Sequence, residues 1–264
     1  MIRGLYIAAS GMNTTLTQQN VISNNLANIN TVGFKQGRAL NVEFPSHLFA
    51  RLHDQRLKTF DGSLELRPSV GVVGGGVVPQ EVATDYAQGS RFETRNKLDF
   101  ALTGKGTYFV VQGPGGEALY TRNGNFNLDA DGRLVTQDGY PVMGHNGEVF
   151  IDGSDVAVDA EGNILVDGKE LDSILVAKVA DDRAMVKVGH SLFKAPASLP
   201  VDYAPDAEDV LVQQGFLEQS NVNPVSEMVQ MIEAARLYEL NARVITMYDN
   251  AMGRAALEVG SLRV

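Results

Sequence analysis

Five groups of residues in this chain have a type and spacing that resemble sites of chemistry. The most specific is Asn127-x-Asp129-x-Asp131-Gly132, which follows the opening of an EF-hand calcium loop, with Asp138 where a Glu would supply two oxygen ligands. An EF-hand needs flanking helices, whereas residues 120–122 and 134–136 have the composition of strands. We therefore interpret this stretch as a hairpin turn.

Two further stretches match short catalytic or phosphate-binding patterns. Ser191-Leu192-Phe193-Lys194 fits the Ser-x-x-Lys pattern of acyl transfer, but the companion Ser-Asp-Asn and Lys-Thr-Gly motifs are missing, so we interpret it as a strand end. The glycine-rich run at 71–76 lacks the Lys-Ser/Thr of a phosphate loop and is not followed by a helical pattern. We interpret it as flexible or closely packed backbone.

The histidines and the acidic pairs complete the set of candidates. The histidines have neither metal-ligand spacing nor an obvious Asp–Ser partnership: His47, His53, His145 and His190. Two carboxylate pairs have the residue types of a glycosidase site, namely Asp152 with Asp155 and Asp181 with Asp182, but solvated acidic loops are the simpler interpretation. The sequence therefore predicts no catalytic residue, no metal site and no cofactor.

Composition and charge exclude several classes of protein. The chain has 264 residues, of which 44% are hydrophobic and 20% charged, as in ordinary globular domains. A net charge of −10 argues against a nucleic-acid binder, and the lack of cysteine excludes disulfides and thiolate chemistry. The acidic excess lies in residues 41–222, whereas 1–40 contain three basic side chains and no acidic one. This shift predicts a domain boundary on each side of the acidic region.

The N-terminal pattern predicts an amphipathic helix that stops near Gly33. Apolar or small residues recur at steps of three and four, with Gln19 filling one polar gap: Ile2, Leu5, Ala9, Met12, Leu16, Ile22, Leu26 and Ile29. The opposite face carries Ser, Thr, Asn and Gln instead of charges, which indicates burial by other chains on nearly every side. A frayed helix at a mobile terminus is the alternative.

A second and longer helix is predicted at the C-terminus, with Asn223 as the N-cap and Pro224 in the first turn. Its stripe also steps by three and four: Val225, Met228, Ile232, Ala235, Tyr238, Ala242, Ile245, Tyr248, Met252, Ala255, Val259 and Leu262. A stripe of this length needs a long partner, so we expect the two terminal helices to form a coiled-coil-like pair.

Between the helices the pattern changes to short apolar runs, such as those at 109–111, 133–136 and 164–166, separated by Gly-containing turns. The fold class predicted is α+β, with long terminal helices, an inserted all-β domain and an extended arm. We divide the chain into an N-terminal axial helix at 1–35, an arm or linker at 36–85, a β-rich outer domain at 86–200, and a connecting segment with the C-terminal axial helix at 201–264.

Four ordered stretches resemble signatures of bacterial flagellar basal-body rod and hook proteins. They are Asn24-Asn25-Leu26-Ala27-Asn28-Ile29-Asn30-Thr31-Val32-Gly33-Phe34-Lys35, residues 98–102 with 104–106, residues 120–126 with 131–136, and residues 217–223. Because these stretches occur in order and span most of the chain, it is identified as a member of the rod family. Its tail at 248–255 favours a proximal rod subunit, whereas its opening at 1–6 and its length suit a distal one equally well.

The resemblance implies a structural protein and not an enzyme. Terminal helices of that family pack around a central channel in a helical tube, with the β-domain outward. The implied partners are further copies of the chain in a helical homo-oligomer, adjacent rod and hook proteins, and the flagellar type III export apparatus. The implied location is the basal body outside the cytoplasmic membrane.

Export in this family uses no cleaved signal peptide, which agrees with the N-terminus, where polar residues soon interrupt a short apolar patch. We expect neither nucleic-acid binding nor membrane insertion, since apolar runs are shorter than the roughly 18 residues that a membrane span needs. The alternatives are an exported β-domain protein that binds or cleaves peptidoglycan, and a hook- or cap-like module.

The residues predicted to form the assembly interface lie on both helices and at the end of the first one. They are Leu5, Met12, Leu16, Ile22, Leu26, Asn25, Asn28, Asn30, Gly33, Phe34, Ile232, Tyr238, Ile245 and Met252. The asparagines are expected to cap carbonyl groups and to set the exit of the chain from the helix.

Overall fold

The computed structural model describes residues 2–43, 47–50, 55–59, 62–66, 69–153, 156–189, 191–203 and 211–261. The chain forms two compact units, each built from segments that are distant in sequence. The first unit contains Met1–Ser23, Arg38–Ala83 and Met228–Val264, and the second contains Asn24–Gly37 and Thr84–Glu227. Two terminal helices and a β-rich region confirm the α+β class, whereas the four-segment division stays a prediction.

Helix α1 spans Ile2–Ala27, so the predicted stop at Gly33 is wrong by six residues. The chain leaves the helix earlier, where an asparagine side chain satisfies one of its last carbonyl groups. Asn28 Nδ2 donates to the Asn24 carbonyl oxygen at 2.8 Å, as expected of a capping asparagine. Gly33 lies farther along the exit loop, with a φ of +66°.

Helix α2 spans Pro224–Ser261 and has 38 residues. Asn223 is its N-cap, since the Asn223 Oδ1 atom accepts hydrogen bonds from the backbone N–H groups of Val225 at 3.0 Å and Ser226 at 3.2 Å. Pro224 is the first helical residue, where its missing N–H needs no partner. The cap and the start predicted from the sequence are both confirmed.

Six strands of the segment between residues 37 and 84 form three nested pairs. Strand β1 (Gly37–Glu43) pairs with β6 (Val77–Thr84), β2 (His47–Ala50) with β5 (Ser69–Val73), and β3 (Gln55–Thr59) with β4 (Gly62–Leu66). In the antiparallel inner pairs, His47 lies opposite Val73 and Gln55 opposite Leu66.

In the first unit, side chains of helix α1 form hydrogen bonds with the segment between residues 37 and 84. The Arg3 guanidinium donates to the Gly74 carbonyl oxygen at 2.9 Å, and Thr14 Oγ1 donates to the Val77 carbonyl oxygen at 3.3 Å. Gly76 has a φ of +125°, and a Cβ atom there would meet the Ser10 hydroxyl. The glycine-rich run at 71–76 therefore reaches a position of close backbone packing, which is one of the two interpretations given above.

The second unit is built around a six-stranded antiparallel sheet of order β19-β20-β10-β9-β18-β21. The strands of this unit are β7 (Arg91–Glu93), β8 (Phe100–Leu102), β9 (Thr107–Gln112), β10 (Ala118–Thr121), β11 (Phe126–Leu128), β12 (Leu134–Thr136), β13 (Met143–Gly144), β14 (Gly147–Glu148), β15 (Val156–Val158), β16 (Asn163–Val166), β17 (Lys169–Ser173), β18 (Val176–Val179), β19 (Val186–Gly189), β20 (Leu192–Lys194), β21 (Val201–Asp202), β22 (Val212–Gln214) and β23 (Phe216–Glu218). The other pairings are β7 with β23, β8 with β22, β11 with β12, β13 with β14, and the three-stranded order β15-β16-β17.

The central strand β9 is buried on both faces. Because successive side chains point to opposite sides of a strand, Phe109 and Val111 enter one apolar cluster while Tyr108 and Val110 enter another. The continuous apolar run that predicts a strand here is typical of a strand covered on both sides. The β-rich region therefore has a substantial core of its own.

Candidate functional site

A buried group of three charges lies in the second unit. The Lys35 ammonium is 2.6 Å from Glu218 Oε1, and Arg122 Nη1 is 3.2 Å from Glu218 Oε2. The side chains are only 1% exposed for Lys35, 1% for Glu218 and 4% for Arg122. The Glu218 carboxylate, at the end of strand β23, therefore contacts two cations from distant segments. Lys35 lies at the end of the loop that follows α1, and Arg122 directly follows strand β10.

Lys35, Arg122 and Glu218, which we call the buried triad, also form hydrogen bonds with backbone groups. Lys35 Nζ also donates to the Ala87 carbonyl oxygen at 2.9 Å, and the Gly89 N–H donates to Glu218 Oε1 at 3.1 Å. Arg122 Nη2 donates to the Gly104 carbonyl oxygen. A buried ion pair is tolerated only when such additional bonds satisfy its polar atoms.

Burial lowers the pKa of the Lys35 ammonium, and the adjacent Glu218 carboxylate opposes that shift. Burial disfavours the charged form of a lysine, whereas a close carboxylate favours it. The ammonium thus depends on Glu218 to keep its charge in the interior. Removing that carboxylate would leave two cations in a buried site.

A second buried carboxylate connects the two helices at their bases. Glu227, in the first turn of α2, accepts from Asn25 Nδ2 at 3.0 Å and from Gln36 Nε2 at 2.6 Å. Asn25, in the last turn of α1, also exchanges two hydrogen bonds with the Gly37 backbone, at 2.8 and 2.9 Å. Glu227 is 1% exposed and Asn25 is 2% exposed.

Further hydrogen bonds to backbone groups link the same chain segments. Asn221 Oδ1 accepts from the Gln36 N–H at 2.7 Å, and Asn221 Nδ2 donates to the Asp85 carbonyl oxygen at 2.8 Å. The Gly33 N–H donates to the Glu218 carbonyl oxygen at 2.8 Å. A Cβ atom on Gly33 would lie 2.5 Å from the carbonyl carbon of Arg122, so this close approach requires glycine. We call this set of contacts around Lys35, Glu218 and Glu227 the base cluster.

Phe34 adds an apolar contact at the edge of the base cluster. Its ring lies beneath the Lys187 ammonium, 4.2 Å from the ring centroid, and Lys187 Nζ donates to the Lys35 carbonyl oxygen at 2.7 Å. Burial lowers the pKa of Lys187. A cation over an aromatic face is stabilised by the ring quadrupole.

The structure places the predicted interface residues in different surroundings. Asn25, Gly33 and Phe34 lie in the base cluster, Asn28 caps its own helix, and Asn30 is exposed. On the helices, Ile22 is buried, whereas Leu16 is 45% exposed and Ile232 is 54% exposed. The rest are half-buried: Leu5, Met12, Leu26, Tyr238, Ile245 and Met252. Their role in assembly stays a prediction.

Sequence reasoning missed the charged members of the base cluster. Lys35, Arg122 and Glu218 each lie inside a stretch that resembles the rod and hook signatures. A charged residue within such a stretch is the signal that could have identified them. Their pairing was not predictable because Lys35 and Glu218 are 183 positions apart. Two glycines of α1 were missed as well: a Cβ atom on Gly11 would lie 2.9 Å from Asn241 Nδ2, and one on Gly4 would overlap the Tyr248 ring.

The calcium-like stretch is a hairpin turn, as predicted. Gly132, with a φ of +78°, closes the turn between β11 and β12. The Arg133 guanidinium lies 3.2 Å from Asp129 and 3.3 Å from Asp131 of this turn. It also lies 3.5 Å from Glu148 in strand β14. The carboxylates of Asp129 and Asp131 thus already pair with a cation of the chain.

The other catalytic candidates have structural contacts. Ser191 directly precedes β20, and Lys194 pairs with Glu117. Asp181 caps a short 3₁₀ helix, and Asp182 accepts a hydrogen bond from the Tyr108 hydroxyl at 2.9 Å. Of the remaining candidates, Asp155, His53 and His190 lie outside the described residues.

Among the residues that the structure describes, no three His, Asp or Glu side chains are grouped so as to hold a metal ion. In the same part of the chain, neither helix combines the length and apolar character of a membrane span.

Three family profiles match the chain in the order of its own segments. They are "Flagella basal body rod protein" at residues 5–35, "Flagellar hook protein FlgE/F/G D1 domain" at 101–166, and "Flagellar basal body rod FlgEFG protein C-terminal" at 213–257. Lys35, Arg122 and Glu218 fall one in each matched segment.

Relatives match over nearly the whole length. A flagellar basal-body rod protein FlgG from Agrobacterium fabrum is 37% identical, with 94% of this chain and 96% of the relative covered. FlgG from Borreliella burgdorferi is 35% identical (97% and 98% covered), and FlgF from Caulobacter vibrioides is 33% identical (98% of each covered). With its two terminal helices, its β-rich unit and a buried triad drawn from all three matched segments, the chain belongs to the flagellar basal-body rod protein family, a family of structural proteins of the flagellum.

Proposed function

We propose that this chain is an axial subunit of the rod that polymerises helically through its terminal helices. The polymer would form a hollow drive shaft that transmits torque and also serves as the export channel. The base cluster is the observation that supports this proposal most strongly. It joins the last turn of α1 to the first turn of α2 with buried polar bonds, such as that from Asn25 to Glu227, and such bonds would resist movement between the helices under torque.

Close approach between the helices supports a coiled-coil-like pair within the first unit. Gly4 and Gly11 are seven residues apart on α1, and their contacts Tyr248 and Asn241 are seven apart on α2 in the opposite direction. A repeat of seven residues keeps one face of each helix toward its partner. Glycines on α1 leave room for the longer Tyr248 and Asn241 side chains. The pairing proposed here is therefore antiparallel.

The proposed partners are other copies of the chain and the neighbouring rod and hook proteins. We also propose that the flagellar type III apparatus exports the chain without cleavage of a signal peptide. The segment at 36–85 would serve as an arm that contacts a neighbouring subunit. Export is tested by mass spectrometry of the N-terminus of the protein from isolated basal bodies: a retained Met1 or Ile2 is expected.

Electron microscopy of basal bodies from a strain that lacks the protein tests the rod assignment. We expect rods that are missing or cut short, with no hook and no filament, and restoration of all three by the gene in trans. A short stub would place the subunit distally, and no rod at all would place it proximally, the position that the tail at 248–255 favours. Intact rods with normal hooks would exclude the proposal.

A further inference from the structure

A cavity of about 520 Å³ lies within the second unit, where the end of helix α1 and its exit loop meet the loops that follow β10 and β12. Its volume is in the range of small-molecule sites, roughly 300–1,000 Å³. Most of its lining consists of amide and hydroxyl side chains: Asn24, Asn28, Thr31, Asn123, Gln137 and Ser191. Small-molecule sites usually have a predominantly apolar lining, so this cavity is suited to a ligand that is polar over most of its surface.

Three amides of the lining have hydrogen-bonding groups open to a ligand. Within the described part of the chain, the Asn24 side chain makes no hydrogen bond. Asn123 Oδ1 accepts from the Asn125 N–H at 3.0 Å, and no described residue accepts from Asn123 Nδ2. Gln137 Nε2 donates to Asn125 Oδ1 at 2.6 Å, and no described residue donates to Gln137 Oε1. The wall therefore offers both donors and acceptors, two of them on amides that are held from their other end.

Lys187 gives the cavity a positive charge that is fixed in position. Its ammonium donates to the Lys35 carbonyl oxygen at 2.7 Å and lies 4.2 Å from the centroid of the Phe34 ring. Among the described residues, no carboxylate forms an ion pair with this ammonium. Asp138, which also lines the cavity, already has an interaction partner of its own. The wall thus contains an ammonium that an anionic group of a ligand can pair with.

Ser191 adds a strained backbone position to the same wall. Its φ is +56°, in the left-handed region that residues other than glycine rarely adopt. The Thr121 hydroxyl donates to the Ser191 carbonyl oxygen at 3.0 Å and helps to hold this conformation. Strained positions of this kind cluster at ligand-binding sites. The backbone of Ser191 is therefore an indication of a binding site that is independent of the polar lining.

We propose that this cavity binds an acidic saccharide, that is, a sugar ring that carries a carboxylate. Ring hydroxyls both donate and accept hydrogen bonds, so they match the open groups of Asn24, Asn123 and Gln137. The carboxylate of the sugar pairs with the Lys187 ammonium in a charge-assisted bond. An apolar ligand would leave the polar groups of the wall without partners, which disfavours binding. This binding site goes beyond the rod assignment and does not depend on polymerisation.

Amide NMR of the purified full-length chain tests the site with two sugars, methyl glucuronide and methyl glucoside, which differ only in a carboxylate or hydroxymethyl group on the ring. The glucuronide at about 20 mM, enough to detect a millimolar dissociation constant, should shift the side-chain NH2 signals of the lining amides. The side-chain signals of Asn163, which donates to Asp159 at 2.9 Å outside the lining, should stay unchanged. We expect the glucoside to bind about tenfold more weakly, because it lacks the charge-assisted bond.

Two variants change the charge of the wall in the same direction. Asn24→Asp adds a negative charge to an exposed lining residue, so it should weaken glucuronide binding about threefold or more and leave glucoside binding unchanged. Lys187→Gln should bring the affinities of the two sugars close to each other. Lys169→Gln is the matched control, since Lys169 is an exposed lysine of strand β17 outside the lining, and it should change neither affinity.

Three results would overturn the proposal. The first is that the glucuronide shifts none of the lining amides, and the second is that the native chain binds both sugars equally. The third is an equal response to N-acetylaspartate amide, which carries a carboxylate without a sugar ring and represents an acidic peptide. If Lys187→Gln does not fold, Asn24→Asp decides alone, and an unchanged glucuronide affinity in that variant would exclude the site.

Discussion

The Lys35 ammonium and the Glu218 carboxylate lie 2.6 Å apart although 183 positions separate them in the chain. Arg122 approaches the second oxygen of the same carboxylate at 3.2 Å. The contact brings together three segments that match three different flagellar family profiles. A shared buried carboxylate therefore explains why charged residues occur within otherwise apolar or amide-rich stretches.

Replacing Glu218 by Gln should destabilise the protein strongly. The two buried cations would lose their common partner, and breaking a buried pair in this way typically lowers the free energy of unfolding by about 3–5 kcal/mol. Urea denaturation of the purified chain measures this change. Glu93→Gln is the control, because its 3.2 Å pair with Arg95 is exposed and should contribute about 0–1 kcal/mol. Equal effects of the two substitutions would contradict the role given to the base cluster.

Gly33→Ala should also lower the free energy of unfolding. The position has a φ of +66° and a Cβ atom there would collide with the Arg122 backbone, so the loss should exceed the roughly 1 kcal/mol of left-handed strain alone. Gly253→Ala is the control, since α2 is open at that site and alanine there should stabilise the helix by about 0.5–1 kcal/mol. Thermal unfolding of both variants, followed by circular dichroism, should show changes of opposite sign.

Gly11→Leu should weaken the proposed helix pair and reduce motility. A larger side chain would meet Asn241, the partner of Gly11 on α2. Asn241→Ala removes the obstructing amide, so the double variant should recover part of the lost stability. Soft-agar swimming and urea denaturation of the four chains in this cycle provide the coupling energy. Additive effects, with no recovery, would contradict a direct contact between these positions.

Asp159 should stabilise the protein at neutral pH and not at low pH. Burial acts to raise the pKa of this carboxyl, but hydrogen bonds from Asn163 and from backbone N–H groups of its turn outweigh it and lower the pKa. Since the folded-state pKa lies below the unfolded one, the stabilisation is complete above the unfolded pKa of about 3.9 and is lost as the pH falls through the folded value.

Urea midpoints of the native chain and of Asp159→Ala, measured from pH 7 down to pH 2.5, test this linkage. The difference in urea midpoint between the native chain and Asp159→Ala should become smaller toward pH 2.5. Asp167→Ala is a comparison at another turn of the same unit, where the described residues give the carboxyl no such set of hydrogen bonds. A difference in urea midpoint that stays constant with pH would contradict stabilisation by the hydrogen bonds to the Asp159 carboxylate.

Local sequence determined the two helices and several strands of this protein. The apolar stripes at steps of three and four identify both helices, and Asn223 followed by Pro224 fixes the start of α2, because capping depends on adjacent residues. The short apolar runs and their Gly-containing turns identify strands such as β9 and β12. The end of α1 was misplaced because Asn28 caps the helix before the glycine that looked like a stop.

Tertiary structure alone decided which charges meet and which helix faces stay uncovered. Lys35, Arg122 and Glu218 are assembled from distant segments, and no local pattern encodes their distances. The stripe read from the sequence put Ile232 on the inner face of α2, whereas Ala234 is buried there and Ile232 is exposed. The physical reason is that periodicity gives the apolar positions of a helix but not the direction from which a partner approaches.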